Sequence, residues 1–352
     1  MTDRTHRRPR RRRPRILAAA GAALAVVAVA AVVPVLRDAG TPVEPTAAVA
    51  AIPTAAFPPS GTARPAAVPE LRGLTPTTPT SRRTRPHPRP TTPAATSAPA
   101  GSPAAPAVTS ARKGASIWKS AGMAAALRDS GASWFYSWGP DDKGVAVPGV
   151  EFVPMIWGAG NADAATIAKA KASGSALLGF NEPDLAGQAQ MSVETALSLW
   201  PKLQATGMRL GAPAVAYGGN IAGGWLDRFL TGAAAKGYRV DFIPLHWYGG
   251  DFRSGPATDQ LKAYVSAVYA RYHKPIWITE YALLRFGPTT YPSAAEQSAF
   301  VASSTAMLRG LSYLERYAWF SLATPDQGGD GTGLYRPDGS RTAAGNAYRA
   351  AT

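Results

Sequence analysis

From residue 113 onward, short apolar runs alternate with longer amphipathic stretches. The apolar runs have the length of strands and are rich in β-branched and aromatic residues, whereas the amphipathic stretches carry apolar residues at helical spacing. Because each run is followed by a helical stretch, the pattern is typical of βα units whose strands pair in parallel. We predict eight strands, at residues 114–118, 133–138, 152–157, 176–181, 210–215, 240–247, 275–280 and 316–322.

The clearest predicted helix covers residues 293–309. Ser293 and Glu296 have the spacing of a capping box at its start, and Gly310 ends it. Two further helices are predicted at residues 257–272 and 192–206.

Eight strands separated by helices predict a closed α/β barrel, the (β/α)8 or TIM fold. A doubly wound open sheet is the alternative, but no glycine-rich phosphate loop follows the first predicted strand. A length of 240 residues is ordinary for one such barrel, so we assign residues 113–352 to a single domain.

The residues before this domain have a different composition. All nine Trp and all thirteen Tyr follow residue 112, whereas 19 of the 32 Pro precede it. Residues 38–112 consist largely of Pro, Thr, Ala and Ser, and such a segment cannot offset its ordering entropy by burial. We therefore predict that residues 38–112 are a disordered linker.

The first 37 residues have the order of an export signal. A basic cluster from Arg7 to Arg15 precedes an apolar run over residues 16–36. Its 21 residues are long for a cleaved signal and long enough to cross a bilayer. Both a cleaved signal and a signal anchor inserted through 16–36 stay open, so we expect a secreted or a membrane-anchored extracellular protein.

Charge and cysteine content exclude several classes of function. Residues 1–112 carry +12 of the +15 net charge, which leaves only +3 on the domain and disfavours nucleic-acid binding. The absence of cysteine excludes disulfides and thiol catalysis. Two of the four histidines, His6 and His87, lie outside the domain, so we predict no histidine-rich metal site and no cofactor.

Two predicted strands end in a carboxylate. Glu182 follows the strand at 176–181, and Pro183 ends that strand because proline donates no hydrogen bond to a sheet. Glu280 ends the strand at 275–280. The carboxyl ends of barrel strands meet at one face, and two carboxylates meeting there are what glycoside cleavage needs, one to donate a proton and one to attack or activate water.

Other strand ends carry the residue types that bind sugars. Aromatic rings pack on the C–H faces of pyranoses, and amide, imidazole and phenol groups select hydroxyls. Packing in the core is the alternative for each tryptophan, and a structural hydrogen bond is the alternative for the histidine. The candidates are Asn181, His246, Tyr248, Trp138, Trp157, Trp247 and Trp319.

Six segments together resemble glycoside hydrolase family 128, a clan A family of β-1,3-glucanases. They read SWFYSWGPD, FVPMIWG, LLGFNEPD, PLHWYGGD, PIWITEYA and YAWFSL, in the order expected for the family. The resemblance implies a (β/α)8 barrel, endo-acting hydrolysis of β-1,3-glucan and retention of anomeric configuration. It also implies that Glu182 is the acid/base and Glu280 the nucleophile.

By analogy of position, the resemblance suggests roles for four neighbours of these carboxylates. Asn181 would bond the sugar 2-hydroxyl, His246 and Tyr248 would orient the carboxylates or the sugar, and Trp319 would form the floor of the subsite.

Two rival functions stay open at the level of sequence. One is a clan A hydrolase that acts on another β-glycan, since the catalytic pair would be the same. The other is a non-catalytic cell-surface protein that binds β-glucan, although binding alone needs neither Glu182 nor Glu280. In each case we expect a monomer with a β-glucan or a related glycan as its partner.

Overall fold

The computed structural model describes residues 109–118, 122–325 and 329–351. The predicted export segment, residues 1–37, and the predicted linker as far as residue 108 lie outside these ranges. Within them, no helix combines the length and the apolar character that crossing a membrane requires.

The described residues form eight strands, seven α-helices and one short 3₁₀ turn. A helix follows each strand as predicted, except that none lies between the second and the third strand. The strands are β1 Ser110–Ser116, β2 Ala132–Tyr136, β3 Glu151–Phe152, β4 Ala176–Leu177, β5 Arg209–Leu210, β6 Ile243–Gly249, β7 Ile276–Leu283 and β8 Leu314–Trp319. The helices are α1 Met123–Ser130, α2 Ala164–Ser173, α3 Val193–Gln204, α4 Trp225–Ala235, α5 Ser254–Tyr272, α6 Ala294–Arg309 and α7 Ala343–Ala350. The 3₁₀ turn, Ala159–Asn161, precedes α2.

All strand pairs in the two sheets are parallel, which gives an α/β fold. Six strands form one sheet in the order β3-β2-β1-β8-β7-β6, and β4 pairs with β5 in a second. Isolated bridges continue the pairing between the sheets, from Met155 to Leu178 and from Gly211 to Phe242. The carboxyl ends of the strands therefore lie at one common edge.

Most strand bounds differ from prediction, and β4 and β5 span two residues each where six were predicted. For β1 and β3 the reason is identifiable. β1 begins at Ser110, earlier than the predicted residue 114, because the polar residues there find partners. Lys113 is fully buried, and its Nζ donates to the carbonyls of Tyr348 and Ala351 at 3.1 and 2.9 Å. β3 is shorter than predicted, since Pro154 cannot donate to the ladder.

The core has two parts. One large cluster fills the space between strands and helices, and a second consists of residues of the strands and of the segments directly beside them. Gly114 and Gly211 make room for the second cluster, because a Cβ atom there would lie 2.3 Å from the ring of Trp134 and 2.6 Å from that of Phe242. Its members are Trp134, Tyr136, Val153, Met155, Ala176, Leu178, Phe242, Trp277 and Ala318.

The predicted capping box on α6 is present. The Ser293 hydroxyl accepts from the Glu296 N–H, and the Glu296 carboxylate accepts from the Ser293 N–H. The predicted helices at 257–272 and 192–206 correspond to α5 and α3.

Candidate active site

Glu182 lies five residues after β4, and hydrogen bonds to the segments that follow β3 and β5 hold the backbone there. The N–H of Asn181 donates to the carbonyl of Trp157 at 2.8 Å, and the N–H of Glu182 donates to that of Ala214 at 2.7 Å. Glu182 has a φ of 42°, in the left-handed region that few residues other than glycine adopt. The Glu182 side chain is buried, and the two backbone hydrogen bonds hold the residue in position.

Glu280 lies within β7, three residues before its end rather than at the end as predicted. It accepts hydrogen bonds from three neutral donors. The Tyr136 hydroxyl and the Trp138 indole N–H donate to its Oε1 at 3.1 and 2.7 Å. The Tyr248 hydroxyl donates to Oε2. Tyr136 lies in β2 and Trp138 two residues beyond it, whereas Tyr248 lies in β6. Donors from two different strands therefore hold the carboxylate.

His246 joins the two carboxylates. Its Nδ1 lies 2.8 Å from Oε1 of Glu182, and its Nε2 lies 3.5 Å from Oε1 of Glu280. Burial lowers the pKa of His246, but the charge of Glu280 and the hydrogen bond with Glu182 outweigh it, so that the pKa is raised. One ligand atom from each of the three residues lies within 4.8 Å of the others.

The two tyrosines beside Glu280 remain protonated. Burial, followed by the charge of Glu280, raises the pKa of Tyr136 and of Tyr248 well above the usual value. Both hydroxyls therefore act as hydrogen-bond donors at neutral pH.

Glu182, His246 and Glu280 also have the ligand types that hold a transition metal. The predicted absence of a metal therefore stays a prediction. The same arrangement also suits a catalytic pair of carboxylates, because the imidazole of His246 contacts both Glu182 and Glu280.

Asn181 is buried next to Glu182. Its Nδ2 donates to Oε1 of Gln188 at 3.2 Å, while its Oδ1 has no hydrogen-bond partner in the described part of the chain. A buried amide oxygen without a partner is costly, and a ligand hydroxyl could satisfy it.

A group of aromatic rings borders Glu280, and we call it the aromatic wall. Trp138 stacks on Trp118 with 5.9 Å between ring centroids and meets Phe320 edge-on at 6.0 Å. Tyr248 contacts Phe320 at 5.4 Å and the exposed Phe286 at 5.2 Å. These five rings give one side of the site an apolar surface.

Sequence reasoning missed Trp118, Phe286, Phe320 and Tyr136 as site residues. Alternation along the strands could have found three of them. Ala318 belongs to the cluster enclosed by strands, and Phe320, two residues on, points to the same side. Trp138 is two residues after Tyr136 and points to the same side of its strand. Trp118 is four residues after Gly114, which packs on Trp134, and so it also points to that side.

Trp157 lies at the same edge as the carboxylates. It is half-buried against the cluster enclosed by the strands, as Trp138 is. Through its carbonyl oxygen it also supports Asn181.

The structure places Trp247 and Trp319 away from the carboxylates, contrary to their prediction as sugar-binding residues. Trp247 stacks on Phe300 of α6 at 5.7 Å. Trp319 is fully buried against Tyr281 and Tyr348, and its Nε1 donates to the carbonyl of Thr332 at 2.7 Å. Both face the helices, because neighbouring residues of a strand point to opposite faces.

Comparison with known proteins identifies the family. The sequence profile described as "Glycosyl hydrolase catalytic core" matches residues 114–348. An endo-β-1,3-glucanase of glycoside hydrolase family 128, subgroup I, from Amycolatopsis mediterranei is 63% identical, with a TM-score of 0.66, over 69% of this chain and 100% of that chain. A subgroup II endo-β-1,3-glucanase from Sorangium cellulosum is 32% identical, with a TM-score of 0.57, over 68% of this chain and 98% of that chain.

A curated relative extends the comparison to a longer protein. Alkali-sensitive linkage protein 1 from Schizosaccharomyces pombe is 32% identical over 203 residues, which are 56% of this chain. The chain spans 36% of the length of that relative. The profile match and the 63% identity over a complete catalytic chain show that this protein is a glycoside hydrolase and belongs to glycoside hydrolase family 128.

Proposed function

We propose that the protein is an endo-β-1,3-glucanase that retains the anomeric configuration. The observation that carries this proposal is the approach of Glu182 and Glu280, since one oxygen of each lies within 4.8 Å of the other and of a ring nitrogen of His246. Retaining enzymes have carboxyl groups about 5–5.5 Å apart, whereas inverting enzymes need a wider gap that admits water.

In the first step Glu280 attacks the anomeric carbon, and Glu182 gives its proton to the leaving oxygen. Tyr136, Trp138 and Tyr248 fix the attacking carboxylate with their hydrogen bonds, so that little reorganisation accompanies the reaction. A glycosyl-enzyme forms, and the leaving sugar chain departs with the proton from Glu182.

In the second step Glu182, now a carboxylate, takes a proton from water as the water attacks the anomeric carbon. The bond to Glu280 breaks and the carboxylate returns. His246 orients Glu182 through Nδ1, and the Oδ1 of Asn181 accepts a hydrogen bond from the sugar 2-hydroxyl. The aromatic wall and Trp157 border the sugar that reacts.

The choice of β-1,3-glucan is supported by the Amycolatopsis mediterranei enzyme. Its structures contain laminaritriose, laminaripentaose or laminarihexaose, and some carry a substitution at one of two glutamates. The two substituted positions are 97 residues apart in that chain, and Glu182 and Glu280 are 98 apart here. The two spacings differ by one residue, and their similarity supports the roles proposed for the pair.

We also propose that the eight strands form one closed (β/α)8 barrel. The strand order and the two bridges that join the sheets give every strand a neighbour on each side. A closed barrel directs the carboxyl ends of all strands to one face, where Glu182 and Glu280 meet.

We also propose that residues 1–37 direct export and that the protein acts outside the cytoplasm as a monomer. The basic and apolar order of residues 1–37 supports it. Sequencing the N-terminus of the mature protein distinguishes the two forms, because a cleaved signal removes the apolar run and an anchor keeps it in the membrane fraction.

The test is sugar release from β-1,3-, β-1,4- and mixed-linkage glucans by the full chain and by Glu182→Gln and Glu280→Gln. We expect activity on β-1,3-glucan and a loss of at least about a thousandfold in each variant. NMR of the products before mutarotation should give the β-anomer first. Retained glucan binding without hydrolysis by the unsubstituted chain would instead favour a binding protein, and α-anomeric products would exclude retention.

A further inference from the structure

Large apolar side chains that remain exposed are concentrated in loops that follow the carboxyl ends of three strands. Exposed apolar surface is common when scattered, but its concentration at one edge marks a place where a ligand binds. Within the described part of the chain these residues are Leu185 after β4, Tyr217 and Ile221 after β5, and Phe286 and Tyr291 after β7.

The loop after β5 is attached directly beside Glu182. The carbonyl of Ala214 accepts from the N–H of Glu182 at 2.7 Å, and the N–H of Ala214 donates to Phe180 at 2.9 Å. Two residues further along, the N–H of Ala216 donates to Oδ1 of Asp184 at 2.9 Å. Asp184 therefore ties the segment that begins Ala216–Tyr217 to the strand end that carries Glu182.

The same loop is held at three further points by side chains of α4 and α5. Its backbone is fixed although its two large side chains are free, with 64% of Tyr217 and 55% of Ile221 exposed. The Ile221 side chain packs over Gly218, next to Tyr217 in the chain. The three anchoring contacts are the N–H of Gly219 to Tyr264, Arg271 to the carbonyl of Asn220, and the N–H of Gly223 to Asp227.

A fixed backbone that presents an exposed aromatic ring is a preorganised binding surface. Because Tyr217 is held in place before a ligand arrives, binding does not lose the free energy that ordering a mobile loop would cost. Phenol rings pack on the apolar faces of pyranoses and keep a hydroxyl for hydrogen bonding.

We propose that Tyr217, with Ile221 beside it, binds the sugar units on the leaving-group side of the scissile bond. This rests on the proposed function, because the leaving oxygen takes its proton from Glu182 and must therefore lie on the side of Glu182. The loop of Tyr217 adjoins Glu182, whereas the aromatic wall adjoins Glu280. In this proposal Tyr217 binds the sugars that leave, and the aromatic wall borders the sugar that stays bound to Glu280.

The test compares two substrates that differ only beyond the scissile bond. Laminarihexaose places glucose units on the leaving-group side, whereas β-laminaritriosyl fluoride places a single atom there. For Tyr217→Ala we expect kcat/KM to fall about 5- to 10-fold with laminarihexaose and to stay within about 2-fold with the fluoride. Tyr217→Phe keeps the ring and should retain most of the activity on both substrates.

A second readout is the position of cleavage. With laminarihexaose labelled by ¹⁸O at the reducing end, Tyr217→Ala should shift cleavage toward products with fewer sugars on the leaving side. Because the Tyr217 side chain is mostly exposed, thermal unfolding of the variant should match that of the unsubstituted protein.

Equal losses on both substrates, or no loss on either, would overturn the assignment of Tyr217. An unsubstituted protein that cleaves neither substrate would instead overturn the proposed function. The fluoride therefore separates the two failures, since it reports the chemistry of Glu182 and Glu280 without a leaving sugar.

Discussion

The two ends of the strands use the same residue types in opposite ways. At the amino end, Arg316 pairs with Glu151 at 2.5 Å and Arg209 with Glu315 at 2.7 Å. The indole N–H of Trp277 donates to Glu315 at 2.8 Å, and the guanidinium of Arg316 lies over the Trp277 ring at 4.4 Å. Each carboxylate there has a cation, and the cations cover the aromatic core.

At the carboxyl end the carboxylates have neither an arginine nor a lysine beside them in the described part of the chain. Glu280 accepts from two phenols and an indole, and Glu182 contacts an imidazole. Ion pairs at one end favour stability, and acids without an arginine or lysine partner at the other end favour reactivity, because a paired carboxylate is a weaker nucleophile and base.

The largest effect should come from replacing one glutamate at each end with glutamine. Glu280→Gln should lose at least about a thousandfold in kcat/KM while its melting temperature stays the same or rises, because the buried charge that is removed has no arginine or lysine partner. Glu315→Gln should lose roughly 1 kcal/mol of unfolding free energy, since its ion pair is partly exposed, and keep kcat within about 2-fold. Urea unfolding and glucan hydrolysis measure the two effects.

A Glu280→Gln protein that unfolds more easily than the Glu315→Gln protein would reverse the comparison. It would mean that the carboxyl end also stabilises the fold. The unsubstituted protein and the double variant complete the set, and the two changes should add because the sites share no contact.

A smaller loss should follow when one donor to Glu280 is removed. Tyr248→Phe deletes the hydroxyl that donates to Oε2, and we expect kcat to fall about 10- to 100-fold. Tyr317→Phe is the matched control, because the Tyr317 hydroxyl is buried without a hydrogen-bond partner in the described part of the chain. Its removal should leave kcat unchanged.

Equal rates for Tyr248→Phe and Tyr317→Phe would argue against the neutral donors as the support of Glu280. In that case Trp138, whose indole lies closer to Glu280 than the Tyr136 hydroxyl does, becomes the next donor to replace.

The pH dependence of stability should differ between the ends. The pKa of His246 is raised in the folded protein, so its charged form stabilises the fold fully below the unfolded pKa of about 6.5. That contribution is lost as the pH rises through the folded pKa. The free-energy difference between the unsubstituted protein and His246→Gln should therefore shrink above pH 6.5.

Glu315→Gln provides the contrast, because arginine stays charged throughout this range. Its unfolding free energy should differ from that of the unsubstituted protein by a constant amount between pH 6 and 8. If the unfolding free energy of His246→Gln also differed from that of the unsubstituted protein by a constant amount, protonation of His246 would not contribute to stability in this pH range.

The smallest effect concerns metal ions. A chelator should leave hydrolysis unchanged, whereas added Zn²⁺ should inhibit competitively with glucan, because Glu182, His246 and Glu280 have the ligand types and spacing for zinc. Initial rates at several substrate concentrations test this. Activation by Zn²⁺, or loss of activity on chelation, would contradict it.

The order of the elements could be predicted from the sequence, and so could the meeting of Glu182 with Glu280. Parallel strands with helices between them send their carboxyl ends to one edge, so a strand-end acid is enough to locate the site. The capping box at Ser293 was equally predictable, because it depends on two residues three apart.

The side of the strand to which each tryptophan points could not be predicted from its nearness to a strand end alone. Trp247 and Trp319 lie near strand ends, as Trp138 does, but they have the parity of helix-facing residues. Register also shifts within the ladder, between Leu245 and His246 where β6 pairs with β7. A shift of one residue reverses which side chains face the site, and no local sequence signal marks it.

The left-handed backbone of Glu182 sets stability against activity at this one position. Glycine adopts such a φ without strain, so Glu182→Gly should relax the backbone while it removes the carboxylate. The fold therefore bears a local conformational cost at the residue that its proposed chemistry needs.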